Sequence, residues 1–241
     1  MGSVAKFLAV LTCLLVFPVL AAPRTGNAQV TVHDAVAATG REVMLRADTG
    51  SGFFGKGGVL VEFFVDGRRA GKNLSGGDGA AFLSFVPRAA RLHRLRAEAE
   101  GGSAEGLLLA VKQSAELVMI EVEGGLIERS LTMKPRPGSV EAVKRIGRRY
   151  PVVYLATGFF GLAGVKALLK ERGFPEAPLL SAAGGALFEA VKGKRLKIRA
   201  VIGSPDLVKA AREYTRLAFS FESTGEADAA EDWEEIVRRM R

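Results

Sequence analysis

Thiol and imidazole chemistry have almost nothing to work with here. The 241-residue chain holds one cysteine, Cys13, and two histidines, His33 and His93. One cysteine excludes a disulfide scaffold. Two histidines far apart in sequence, with no neighbouring cysteine, give a zinc site or a Ser-His-Asp triad little to build on. The 29 glycines follow no three-residue period and no long heptad run appears, which excludes collagen and coiled coil. Aromatic residues are only 7% of the chain, with one tryptophan. The excess of 34 Lys+Arg over 26 Asp+Glu is spread over both halves without aromatic interleaving. A nucleic-acid binder therefore has charge in its favour and nothing else. What is present, 48% apolar and 25% charged residues, is ordinary globular composition, long enough for one large or two small domains.

The first 28 residues read as a signal peptide. Lys6 precedes the apolar run Phe7–Leu20, which Pro18 interrupts and which is short for a membrane span of about 20 residues. Cleavage after Ala28 is preferred to cleavage after Ala21 or Ala22, with an uncleaved anchor as the alternative. Cleavage after Ala28 removes Lys6, Arg24 and Cys13, leaving a thiol-free chain of formal charge +6. The expectation is an exported protein, periplasmic or extracellular, with no integral membrane span once the leader is gone.

Residues 29–113 alternate with period two and are punctuated by turn residues, the pattern of short strands in a β-sandwich. Glu42–Ala47, Val59–Val65, Ala80–Phe85, Leu92–Ala99 and Leu107–Val111 are the predicted strands, with Asp66-Gly67 as a hairpin turn. Gly50-Ser-Gly-Phe-Phe-Gly-Lys-Gly57 imitates a phosphate loop. It lacks the final Ser or Thr and leads into a strand instead of a helix, so an inter-strand loop is the better account. Three passages, Gly58–Gly67, Gly77-Asp-Gly-Ala-Ala-Phe82 and Arg94-Leu-Arg-Ala-Glu-Ala99, together resemble bacterial immunoglobulin-like (Ig-like) domains of the invasin type. The resemblance implies a cysteine-free sandwich that spaces or presents other domains, and implies no catalysis.

Residues 115–241 change character. Leu117–Val122 is a continuous apolar run, as a strand buried on both faces of a parallel sheet requires. Further strands are predicted at Pro151–Ala156, Leu179–Ser181, Ile198–Ile202 and Leu217–Phe221. Helices are expected between them and over Asp228–Arg241, giving a three-layer α/β domain.

Ligands in such folds lie beyond the carboxyl ends of the strands. There stand Glu121-Val-Glu123-Gly-Gly125, Ala156-Thr157-Gly158 and Gly203-Ser204-Pro-Asp206. With Pro135-Arg-Pro-Gly138 and Tyr150-Pro-Val-Val-Tyr-Leu-Ala-Thr-Gly158, this layout resembles the haloacid dehalogenase-like (HAD) phosphohydrolases. The branch is that shared by lipins and the larger phosphatidylinositol-transfer proteins. The resemblance implies a magnesium-dependent phosphatase site. Its first motif would be two aspartates, one attacking phosphorus and one moving protons. Here both positions are glutamate, Glu121 and Glu123, and Gly125 replaces the family's Thr.

Thr157 keeps the second motif and its phosphoryl contact, but Phe159 replaces the lipin-like basic residue. Lys192, Lys194 and Lys197 compete for the third motif. Ser204 stands where the fourth motif wants an acid, with Asp206 nearby. The extra methylene of a glutamate displaces the attacking oxygen by about 1 Å, enough to cost on the order of a hundredfold in rate. The reading that follows is a non-catalytic HAD-like domain, joined to an Ig-like module, that binds a protein or a phosphorylated or anionic ligand. A vestigial magnesium site at Glu121, Glu123 and Asp206 is all that would remain of the metal. The alternative is an active, capless phosphatase. Its short inter-motif gaps leave the site open to a bulky protein or lipid phosphate.

Overall fold

A computed structural model describes residues 29–51, 54–128, 133–157, 161–182, 185–222 and 228–240. The leader predicted over residues 1–28 lies outside them, as do Gly158 and Phe159. Among the described residues no helix is long and apolar enough to cross a membrane.

The N-terminal part is a sandwich of two sheets. One contains β1 (Gln29–Val32), β3 (Val43–Ser51), β4 (Phe54–Gly55) and β7 (Ala80–Phe85), with β3 pairing antiparallel to the other three. The second runs in the order β2 (Ala35–Ala38), β9 (Gly102–Val111), β8 (Leu92–Ala99), β5 (Leu60–Val65), β6 (Arg68–Leu74). The chain changes sheets between β1 and β2, and β2 then pairs parallel to β9. Alternation decides which residues face inward: Leu45, Ala47, Val61, Phe63, Leu95, Ala97 and Leu108 fill the space between the sheets. Asp66 and Gly67 both take positive φ, 51° and 77°, as the tight turn joining β5 to β6 demands.

The C-terminal part is a six-stranded parallel sheet in the order β12 (Leu179–Ser181), β11 (Val152–Ala156), β10 (Glu116–Glu121), β13 (Lys197–Ile202), β14 (Leu217–Ser220), β15 (Asp228–Ala229). On one face, α1 (Ser139–Gly147), α2 (Leu162–Glu171) and α5 (Trp233–Arg239) pack against Val118, Ile120 and Tyr154. On the other, α3 (Gly185–Gly193) and α4 (Pro205–Ala211) cover Leu117, Met119, Leu155 and Val201. The cluster on that second face also takes in Val36, Ala38 and Val111 of the sandwich, so apolar packing is continuous across the two parts.

One predicted element changes. The closing helix begins at Trp233, not Asp228, because the Asp232 side chain caps it by accepting from the Glu235 N–H at 2.8 Å. Asp228–Ala229 instead extends the sheet beside β14. The strands β1, β2, β4 and β6 are additional to those read from the sequence, with β3 running to Ser51 and β4 lying within the stretch Gly50–Gly57 read as a loop. β6 is basic and exposed along most of its length, so it offers no alternation to detect.

Candidate functional site

The sheet reverses its winding at β10, whose neighbours are β11 and β13, and the crevice beyond their carboxyl ends is where such folds bind ligands. Glu121 closes β10, Thr157 follows β11, and Gly203-Ser204 follows β13. The structure brings these three together. Glu121 is only 1% exposed. Its Oε1 accepts the Thr157 hydroxyl and its Oε2 accepts the Ser204 backbone N–H. Both carboxylate oxygens are thus engaged by the protein itself. The Thr157 hydroxyl, which the resemblance assigns to a phosphoryl oxygen, is spent on Glu121. The Thr157 N–H donates to Glu123 Oε2 at 3.2 Å.

Two glycines show that the backbone is fitted around this arrangement. A Cβ on Gly203 would come within 2.6 Å of Glu121 Oε2 and 2.8 Å of Glu121 Cβ, so the longer side chain occupies space that only glycine leaves. A Cβ on Gly125 would meet the Glu121 carbonyl oxygen at 2.3 Å, so the motif's Thr has no room at that position. The turn around Gly125 is held by Leu126 N–H to Glu121 O at 3.1 Å and by Arg136 Nε to Gly124 O at 2.9 Å. Arg136 also lies over the Phe221 ring at 4.7 Å.

The remaining candidates stand apart. Asp206 is exposed on the first turn of α4. Lys194 turns the opposite way from the third-motif role: its Nζ reaches the Val36 carbonyl of the sandwich at 3.4 Å. The residue is exposed, yet the protein packed around its amine disfavours the charged form and lowers its pKa. Lys192 lies over the Tyr214 ring at 5.6 Å, and Lys197 opens β13 at the far end of that strand from Gly203. Among the described residues no three carboxylate or imidazole side chains converge on one point. Magnesium demands several oxygen ligands in near-octahedral array. With both Glu121 oxygens engaged and, among the described residues, no third such side chain converging on Glu121 and Glu123, the donor set does not fit it.

Sequence reasoning missed the joint between the two parts. Asp34, whose side chain is 0% exposed, accepts from Leu107 N–H at 2.8 Å and Lys166 Nζ at 2.7 Å through Oδ1. Its Oδ2 accepts from Leu179 N–H at 2.8 Å. One carboxylate therefore ties the sandwich to both α2 and β12. On the rim of the same seam Arg94 forms a two-pronged pair with Glu176. An acid ahead of an apolar strand is the only local trace of this role, and its partners are 73 to 145 positions away.

No protein-family model matches the chain. No curated protein matches it either. Solved structures do. A CARDB domain from Pyrococcus furiosus is similar at 15% identity over 34% of this chain and 89% of its own, with a TM-score of 0.25. Invasin, a bacterial integrin-binding protein, is similar at 16% identity over 35% of this chain and 19% of its own, with a TM-score of 0.30. The D0-D1 domain of intimin is similar at 14% identity over 40% of this chain and 58% of its own, also at 0.30.

Proposed function

We propose that this chain is an exported binding or scaffolding protein whose α/β domain is HAD-like in layout and has no phosphatase activity. The buried Glu121 carboxylate carries the reading. A nucleophile must reach phosphorus in an open site, and here the carboxylate is buried with each oxygen already accepting a hydrogen bond from the protein. The Thr157 hydroxyl and the Ser204 N–H, which would greet a phosphoryl oxygen, already hold a carboxyl group of the chain's own. Gly203 and Gly125 accommodate this closed state, which argues for a site settled into a structural role. The strand order and the Asp-x-Asp-like spacing of Glu121 and Glu123 support the HAD-like layout. Export rests on the apolar run after Lys6, and spacing or presentation on the Ig-like sandwich.

The test is magnesium-dependent hydrolysis of an aryl phosphate by the protein, beside a Glu121→Asp, Glu123→Asp double variant. No turnover is expected from the unaltered chain. Turnover that Glu121→Gln abolishes would overturn the reading in favour of an active, capless phosphatase.

A further inference from the structure

The tip of the sandwich carries a groove that the α/β domain does not touch. It has a volume of about 1020 Å³ and lies between the β5–β6 hairpin and the loop joining β7 to β8. Val65, Phe85 and Val86 contribute apolar surface, and Arg68, Arg69, Arg88 and Arg91 supply four guanidinium groups. Asp66 holds the walls together: Oδ1 accepts the Arg94 N–H at 3.0 Å, and Oδ2 meets Arg91 at 2.6 Å and His93 Nδ1 at 2.7 Å. His93 is buried, and its Nε2 lies 2.9 Å from the Ala89 carbonyl, which fixes the loop. The groove is therefore built in advance. The acid that lines it, Asp66, is already taken by Arg91 and His93, and outside the lining Glu62 is taken by Arg69 at 2.6 Å. Among the described residues Arg68 and Arg88 are exposed and make no ion pair.

We infer that this groove binds an extended acidic segment of a partner protein, one with apolar side chains between its acids. Paired forks of guanidinium suit carboxylates, and the apolar surface between them suits alternating apolar side chains. The adjoining strand β6 pairs only with β5 among the described residues, and the groove opens where its other edge faces β7, to which Asn73 Nδ2 donates at the Phe82 carbonyl, 2.8 Å. Arg68, Arg69 and Lys72 on that edge repel a second copy of the same basic strand and attract an acidic one. The inference deepens the binding role proposed above. Phosphate turnover would overturn that role's non-catalytic basis without touching this groove, and loss of peptide binding would leave the silent α/β site as it stands.

The experiment is fluorescence anisotropy with a labelled decapeptide of alternating Glu and Val at low salt. Saturable binding is expected, with no binding of the Lys/Val counterpart. Arg68→Glu with Arg88→Glu should weaken it about tenfold or more, since two exposed charge contacts are lost and reversed. Both side chains lack ion-pair partners, so the thermal melt should not move. Arg148→Glu with Arg238→Glu, an equal charge change at exposed sites on the α/β domain, should leave binding within about twofold. Equal weakening by both pairs, absence of peptide binding, or Arg68/Arg88-dependent binding only to phosphatidylglycerol vesicles or heparin would each overturn the inference.

Discussion

Replacing Asp34 by alanine should loosen the joint between the sandwich and the α/β domain by several kcal/mol. The substitution removes the acceptor of two buried backbone donors, Leu107 N–H and Leu179 N–H. Each orphaned donor costs about 1–3 kcal/mol. Lys166 is 32% exposed and regains water, so the ion pair itself adds little. The sum centres near 4 kcal/mol, within the range of about 3–5 kcal/mol found when one member of a buried pair is removed. Asp34→Asn should be nearly as damaging, because its amide turns an N–H toward one of the same donors. Urea unfolding followed by Trp233 fluorescence reads the α/β side, since Trp233 is 1% exposed there and is the only tryptophan. Hydrogen exchange at Val61 and Leu95 reads the sandwich. With a slope of about 3 kcal/mol per molar urea, the midpoint should fall by roughly 1.3 M. Both probes should move together, because the apolar cluster is continuous across the joint. A shift below about 0.3 M, or movement of one probe alone, would refute this account.

Two further outcomes follow from the structure. Glu121→Ala orphans the Ser204 N–H and opens a cavity, so it should lower stability by about 2–3 kcal/mol, whereas Glu121→Gln keeps an acceptor and should cost less than about 1 kcal/mol; equal losses in urea titration would contradict a hydrogen-bonding role. Burial works against ionisation of Asp66, but His93, the Arg94 N–H and Arg91 outweigh it and hold its carboxyl below the ordinary 3.8. Its contribution is therefore present above about pH 3.8 and lost as pH falls through the lower folded value, so Asp66→Asn should flatten the acid limb of a stability–pH profile between pH 2 and 5.

The sequence by itself determined the elements whose pattern is local. Period-two alternation marks β8 over Leu92–Ala99 and β7 over Ala80–Phe85, Asp66-Gly67 marks the hairpin, and unbroken apolar runs mark β10 and β11. Proximity of Glu121, Thr157 and Ser204 was legible too, because each ends a strand or follows one in a parallel sheet. What the carboxylate does there was not, since its partners are fixed by backbone geometry at Gly203 and Gly125 and no motif records a missing Cβ. Asp34, Lys194 and the arginine groove were decided by tertiary structure alone. Asp34 acquires its role from donors on three elements, and Lys194 meets a carbonyl of the other domain. The groove's arginines come from the start of β6 and from the β7–β8 loop, which Asp66 and His93 help to tie together. Local pattern reports which face of an element is apolar; which polar groups meet across the fold depends on packing that no short window contains.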